Sequence, residues 1–201
     1  MGFDLYGRNP HNPSGHVRPN IDWTDSSITE DDKKEYFDAV DKYESRVKGD
    51  YFRANVWWWR PIWNFVTNYC DDILSDKDIE KGSFNDGHFI NKAKSKKIAS
   101  RIKTLIKDGT AKKIEDEYNT LSEKARKHNS KVDAMLDDLK EEVIKETKKD
   151  NIVPSDYPKK FKDRWDEIYK MRSWADSYPF DVEYLESFAD FSEQSGGFEI
   201  C

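Results

Sequence analysis

Residues 51–63 of this 201-residue chain read Tyr51-Phe52-Arg53-Ala54-Asn55-Val56-Trp57-Trp58-Trp59-Arg60-Pro61-Ile62-Trp63. Four tryptophans in seven positions carry a large apolar area, and each indole also has one N–H donor. The segment therefore predicts a buried core, a binding surface, or both. Apolar residues continue after it at helical spacing, so we predict a buried helix of about 14–18 residues with Pro61 in its first turn.

Composition predicts long, water-exposed helices around this core. Charged residues make up 37% of the chain, yet 14% of its residues are aromatic, which is too many for a disordered protein. The net charge of −6 weighs against bulk binding of nucleic acid. The sequence has no apolar stretch that is long enough for a membrane span and no signal-peptide pattern at its N-terminus. We therefore expect a cytoplasmic protein without a membrane partner.

The longest predicted helix covers residues 111–148, which corresponds to about 55 Å at 1.5 Å per residue. Its inward positions alternate in steps of four and three, the heptad pattern of a coiled coil. We expect His128 to be a polar member of this seam that helps to set the helix register. The predicted seam consists of Ile114, Tyr118, Leu121, Ala125, His128, Val132, Met135, Leu139 and Val143.

The remaining segments complete a mainly α prediction. A compact helical head carries a small two-stranded terminal element, formed by antiparallel pairing of residues 2–7 with 198–201, and a long helical hairpin arm. Residues 75–88 are predicted to be a loop. Further helices are predicted from Thr29 to about Gly49 and over 90–108, 159–175 and 182–194. The expected domains are a globular tryptophan-rich head at 1–110 and 176–201, with an inserted loop and helix at 15–48, and the arm at 111–175.

The sequence has no pattern that predicts catalysis or metal binding. Its four histidines lack the spacings of zinc sites, and no phosphate-binding glycine motif is present. The acids that follow the tryptophan helix lack the pattern of a calcium loop. Cys70 and Cys201 are expected to be free thiols. We therefore predict no catalytic residue, no metal site and no cofactor, and an enzyme is the less favoured class.

The residues around the tryptophans form the candidate binding site. Aromatic faces stack on rings or bases, and arginine binds phosphate or carboxylate groups. Three successive tryptophans cannot all face the core of a helical protein, so Trp57 is expected to face outward. The alternative is that the indoles are only core and that Arg60 packs on one of them. The predicted binding residues are Arg53, Asn55, Trp57, Arg60, Asn85 and His88.

A second charged feature is the helix predicted at 90–108. Lysines lie along one solvent-facing side of this helix, where any phosphate binding would weaken as salt is added. The helix has no interleaved aromatic residues, so sequence-specific nucleic-acid binding is not expected, and a solvated helix face is the simpler interpretation. The lysines are Lys92, Lys96, Lys103 and Lys107.

Separate segments of the chain together resemble one family. They are the opening Gly2-Phe3-Asp4-Leu5-Tyr6-Gly7, the tryptophan block, the turn Asn85-Asp86-Gly87-His88 and the ending Ser195-Gly196-Gly197-Phe198-Glu199-Ile200-Cys201. These segments resemble a family of small proteins encoded largely by phages. The chain differs from that family by the inserted helix within 15–48 and by the absence of Cys-x-x-Cys pairs. The resemblance implies a phage-type protein and carries no specific activity.

These observations lead to two functional hypotheses. The first is a non-enzymatic interaction protein of the host-cell cytoplasm, which modulates or inhibits a host defence system. It would bind a host or phage protein through the helical arm, and a homodimer through the heptad helix stays open. The alternative is a binder of a small anionic ligand or nucleotide that uses the Trp/Arg/Asn cluster.

Overall fold

The computed structural model describes residues 2–201, and 60% of the structure is helical. Within these residues there are seven α-helices and one four-stranded antiparallel sheet, which confirms the mainly α class. The strands are β1 (Gly2–Gly7), β2 (Tyr51–Asn55), β3 (His88–Asn91) and β4 (Gly197–Ile200). The helices are α1 (Glu30–Glu44), α2 (Val56–Tyr69), α3 (Asp76–Lys81), α4 (Lys92–Lys107), α5 (Thr110–Thr147), α6 (Lys159–Lys170) and α7 (Val182–Gln194).

The sheet has four strands in the order β2-β1-β4-β3, whereas the sequence predicted two. The two chain ends pair antiparallel as predicted, with Leu5 opposite Ile200. The additional strands β2 and β3 each run directly into a helix, α2 and α4. A strand of only four or five residues has too few positions to show a clear alternation of buried and exposed residues. The helical spacing of the apolar residues that follow it therefore dominates the sequence pattern.

The core of the tryptophan region lies between the sheet and α2, α4 and α7. The ring of Trp59 is fully buried, and its centroid lies 5.8 Å from that of Phe3 and 5.4 Å from that of Trp63. Phe188 meets Trp59 edge-on at 5.5 Å. Other buried members of this core are Leu5, Ile62, Phe65, Ile98, Leu185, Phe191 and Phe198.

The tryptophan helix begins earlier than the sequence predicted. Asn55 caps α2, and Pro61 lies inside the helix rather than in its first turn. The indole N–H groups of Trp59 and Trp63 donate to the carbonyls of Gly82 and Ile79 at 2.7 and 3.1 Å. These acceptors belong to α3 and its C-cap, in a segment that was predicted to be a loop. The two hydrogen bonds explain how indoles can be buried without an unpaired donor.

The chain divides into two compact units, residues 2–115 with Phe180–Cys201 and residues Asp116–Pro179. The second unit has its own apolar core, which consists of Leu139, Val143, Ile152, Tyr157 and Phe161. Its two helical segments run antiparallel, because ion pairs join Glu142 to Arg164 and Glu146 to Lys160. Trp165 and Ile168 of α6 pack against the same core.

Three positions of the predicted α5 seam are exposed in the structure. Ala125, Val132, Leu139 and Val143 are buried as expected. Leu121, His128 and Met135 are exposed instead, whereas Asn129 is buried and Leu136 is half-buried. Asn129 is 3% exposed because its side chain donates to the carbonyl of Ser173 at 2.8 Å and accepts from the Ser173 N–H at 2.9 Å. These hydrogen bonds offset the cost of burying the amide. The polar residue of the buried stripe is therefore Asn129, whereas the sequence predicted His128.

Candidate functional site

A cleft beside the tryptophan block contains two of the predicted binding residues. It has a volume of about 370 Å³ and is lined by Arg53, Ala54, Asn55, Trp58 and Tyr184. Strand alternation explains the arrangement, because Phe52 and Ala54 are buried while Arg53 and Asn55 are exposed. The first turn of α7 supplies Tyr184 on the opposite side.

Aromatic rings form the wall of this cleft. The Tyr184 ring lies 5.0 Å from that of Trp58 and 5.1 Å from that of Phe52. Its hydroxyl donates to the backbone carbonyl of Arg53 at 2.7 Å, and burial raises the pKa of Tyr184 to about 12. The phenol therefore stays protonated and fixes the ring, while the exposed Arg53 side chain supplies positive charge at the rim. Such a wall and charge suit a planar ring that carries an anionic group.

Asn55 has a structural role that the sequence interpretation did not assign to it. Its side-chain oxygen accepts hydrogen bonds from the N–H groups of Trp57 and Trp58, at 3.0 and 3.1 Å. It therefore satisfies two donors at the start of α2. The pattern of an asparagine between a short strand and a helix recurs at Asn91, which caps α4 in the same way. That recurrence is a signal from which the cap could have been predicted.

Other predicted binding residues lie outside the cleft lining. Trp57 is 39% exposed, in agreement with the outward orientation predicted for it. Arg60 is also exposed, and both Trp57 and Arg60 make contacts within the chain. Asn85 donates to the carbonyl of Gly2 at 3.0 Å. Since Gly2 pairs with Asn55, this bond holds the turn at the same end of the sheet as the cleft.

His88 belongs to a buried charged cluster rather than to the cleft. Its Nε2 lies 2.9 Å from Oδ1 of Asp78, and Lys94 forms an ion pair with Oδ2 of the same carboxylate. Ser75 donates to Asp78 from its hydroxyl and from its backbone N–H. Desolvation raises the pKa of Asp78, but the hydrogen bonds from Lys94, Ser75 and His88 outweigh it and hold that pKa far below its ordinary value. The cluster thus joins α3, β3 and α4.

A second candidate surface lies on α5, within residues Asp116–Pro179. We call Leu121, His128 and Met135 the α5 stripe, because positions seven apart lie on one face of a helix. Leu121 is 54% exposed and Met135 is 41% exposed. Met171 lies beside the stripe, since its carbonyl is 2.7 Å from Nε2 of His128. A shallow depression of about 400 Å³ adjoins Leu121 and is also lined by Asp116, Glu117 and Thr120.

Comparisons with known protein families, with curated proteins and with solved structures found no match. Within residues 2–201, no group of three or more His, Cys, Asp or Glu side chains is placed to hold a metal ion. None of the helices in that range is both long enough and apolar enough to cross a bilayer. Cys70 is buried, Cys201 is half-buried, and neither forms a disulfide.

Proposed function

We propose that this chain is a non-enzymatic protein-binding module, and that the α5 stripe receives an apolar-faced helix of a partner protein. The observation that carries the proposal is the exposure of Leu121 and Met135, which lie two heptads apart on α5. The adjacent face of the same helix is already buried within the protein. Residues spaced by seven match the side-chain rows that interlock when two helices pack at a shallow angle.

The side chains of the stripe suit such a contact. Methionine is flexible and polarizable, so it adapts to the irregular surface of a partner. Burying the exposed half of a leucine or methionine side chain contributes roughly 1 kcal/mol, so the stripe supplies a modest part of the binding free energy. The depression beside Leu121 offers room for a side chain of the partner helix.

The biological role that we propose follows from the family that the terminal and tryptophan segments resemble. A phage-type protein whose sequence has no pattern that predicts catalysis would act by binding, and we propose that it modulates or inhibits a host defence system. Its partner would be a host or phage protein in the host cytoplasm. In this proposal α5 and α6 act as a helical hairpin arm at about residues 111–175.

Capture from host-cell lysate tests this function when a stripe variant is compared with a matched control. The stripe variant carries Leu121→Glu and Met135→Glu, and the control carries Val153→Glu, a residue of the same unit that is 51% exposed. We expect one partner to be retained by the native chain and by the control and lost by the stripe variant. Equal capture by all three chains would contradict the proposal.

The same variants distinguish a foreign partner from a second copy of the chain. Light scattering of the purified protein is expected to give a monomer for the native chain and for both variants. A native dimer that the stripe variant converts to a monomer would make the occupant another copy, and the proposal of a host or phage partner would then be wrong.

A second candidate function is the binding of a small anionic ligand, such as a nucleotide, in the cleft of Arg53, Trp58 and Tyr184. The specific observation in its favour is the aromatic wall beside an exposed guanidinium. A nucleotide at 100 times its Kd stabilises a protein by about 2.7 kcal/mol, which a thermal-shift panel detects readily. Arg53→Ala should remove the shift and Arg46→Ala should keep it. If no nucleotide shifts the unfolding temperature, this candidate is excluded.

A further inference from the structure

We infer that a polar cavity between the segment 9–13, α4 and the end of α7 binds a phosphate-bearing small molecule. The cavity has a volume of about 390 Å³ and shares no lining residue with the Arg53 cleft. Its charged lining residues are Lys92, Lys96 and Glu193, and His11 adds an imidazole. The inference is independent of the function proposed for the α5 stripe.

The charge of the cavity lining is positive. Lys92 and Lys96 are exposed and lie one helical turn apart on α4, so their side chains share a face. Neither ammonium forms an ion pair with any of residues 2–201. Glu193 is the one acid of the described lining, and its carboxylate accepts from Lys103 at 2.6 Å. The negative charge of Glu193 is therefore neutralised by a lysine outside the cavity, whereas the positive charges of Lys92 and Lys96 have no such partner in the described part of the chain.

Backbone hydrogen bonds hold the segment 9–13, which forms one wall of the cavity, against the end of α7. The backbone N–H groups of Asn9 and His11 donate to the carbonyls of Ser195 and Gln194, at 2.9 and 2.8 Å. Asn12 forms two hydrogen bonds with the backbone of His16, one from its side-chain nitrogen and one to its oxygen. A cavity wall that is already ordered lowers the entropic cost of binding.

Gly196, in the Ser195-Gly196-Gly197 ending, allows the wall of this cavity to pack closely against the end of α7. Its φ of +65° lies in the left-handed region that favours glycine. A Cβ atom at this position would lie 2.3 Å from the carbonyl oxygen of Asn9, which is far closer than packing allows. The absence of a side chain thus lets the segment 9–13 pack directly on the end of α7.

The lining indicates which class of ligand fits. Two ammonium groups on one helix face act as point charges for phosphate oxygens. The volume exceeds the needs of a single phosphate and is in the range of small-molecule sites. The other lining groups include the carboxamides of Asn9, Asn12 and Gln194, and no Phe, Tyr or Trp is among the described lining residues. A phosphate attached to a polar, hydroxyl-bearing group fits this lining better than a nucleotide base does.

Isothermal titration with inorganic pyrophosphate tests the inference, with chloride used to keep the ionic strength constant. We expect saturable binding to the native chain. A double variant, Lys92→Gln with Lys96→Gln, should weaken it by about tenfold or more, because two charge-assisted contacts are lost. Lys107→Gln, at the other end of the same helix, is the matched control and should leave affinity unchanged. The affected lysines are exposed, so thermal unfolding of the variants should match the native chain.

Two further variants test whether pyrophosphate binds in this cavity or elsewhere on the protein. Gly196→Ala should weaken binding because its Cβ displaces the segment 9–13, whereas Arg53→Ala should have no effect. The inference is overturned if the native chain shows no saturable binding of pyrophosphate. Equal losses for Lys107→Gln and the double variant would mean diffuse attraction, and loss with Arg53→Ala would place the anion in the cleft instead.

Discussion

An asparagine at the junction of β2 and α2 determines how the tryptophan block is presented. The amide side chain of Asn55 ends the strand and accepts hydrogen bonds from two N–H groups of the helix. The next residues then follow helical geometry, which buries Trp59 and leaves Trp57 partly exposed. A polar residue that was predicted to contact a ligand thereby orients the aromatic residues of the cleft.

Replacement of Asn55 should measure that role. Asn55→Ala is expected to lower the free energy of unfolding by about 1 kcal/mol, because two helix donors lose their acceptor. Asn55→Asp keeps an acceptor at the helix start and should cost much less. Urea unfolding of both variants checks this expectation. A loss for Asn55→Asp as large as that for Asn55→Ala would show that the cap is not the stabilising feature.

The buried carboxylate of Asp78 should give the protein an acid-sensitive contribution to stability. Its pKa is lower in the folded chain than the ordinary value of 3.8, so the unfolded state binds the proton first. The contribution is therefore complete above about pH 5 and declines as the pH falls through about 4 and below. Asp78→Asn should flatten the dependence of the unfolding free energy on pH in that window. Asp76→Asn, at an exposed neighbouring position, is the matched control.

Single side chains were only partly predictable from the sequence. The exposure of Trp57 follows from local geometry, because consecutive helical positions point in different directions. The place of His88 does not, since its partner Asp78 belongs to a helix that was predicted to be a loop. The Ser75-x-x-Asp78 capping pattern was a sequence signal for the start of this helix. The ion pair between Asp78 and Lys94, however, joins positions far apart in the sequence, and no local pattern predicts it.

Helix α5 shows, at the scale of one element, what periodicity can and cannot specify. Steps of four and three correctly identified a long helix with an inward stripe, because that spacing is a local property. Which of two adjacent residues turns inward depends on the chain that packs against the helix. Asn129 is buried because Ser173 offers both a donor and an acceptor, and no local pattern encodes that partner.

Alanine substitutions at two adjacent positions of α5 should show that Asn129, rather than the predicted seam residue His128, is the stabilising polar residue. Asn129→Ala leaves the Ser173 amide without its partner and should cost about 1–3 kcal/mol of unfolding free energy. His128→Ala removes an exposed imidazole and should cost no more than about 1 kcal/mol. Urea denaturation followed by far-ultraviolet circular dichroism compares the unfolding free energies of the two variants. A greater loss for His128→Ala would contradict the assignment of the buried stripe.

At the scale of the whole molecule, the chain forms two compact units, and each unit has its own apolar core. The helical class and the pairing of the chain ends were predictable, because they follow from local periodicity and from apolar residues near both termini. The central position of that pair in a four-stranded sheet was not, because β2 and β3 are short and continue into helices. The candidate sites depend on residues far apart in sequence, such as Arg53 and Tyr184.

The most direct measurement of the proposed function is photo-crosslinking of the native partner in host cells. A photo-reactive side chain is placed at position 121, at position 135, or at position 153 as the control. Binding through the α5 stripe predicts one common cross-linked protein from positions 121 and 135 and none from position 153. Cross-links from position 153 alone, or no difference among the three positions, would contradict it.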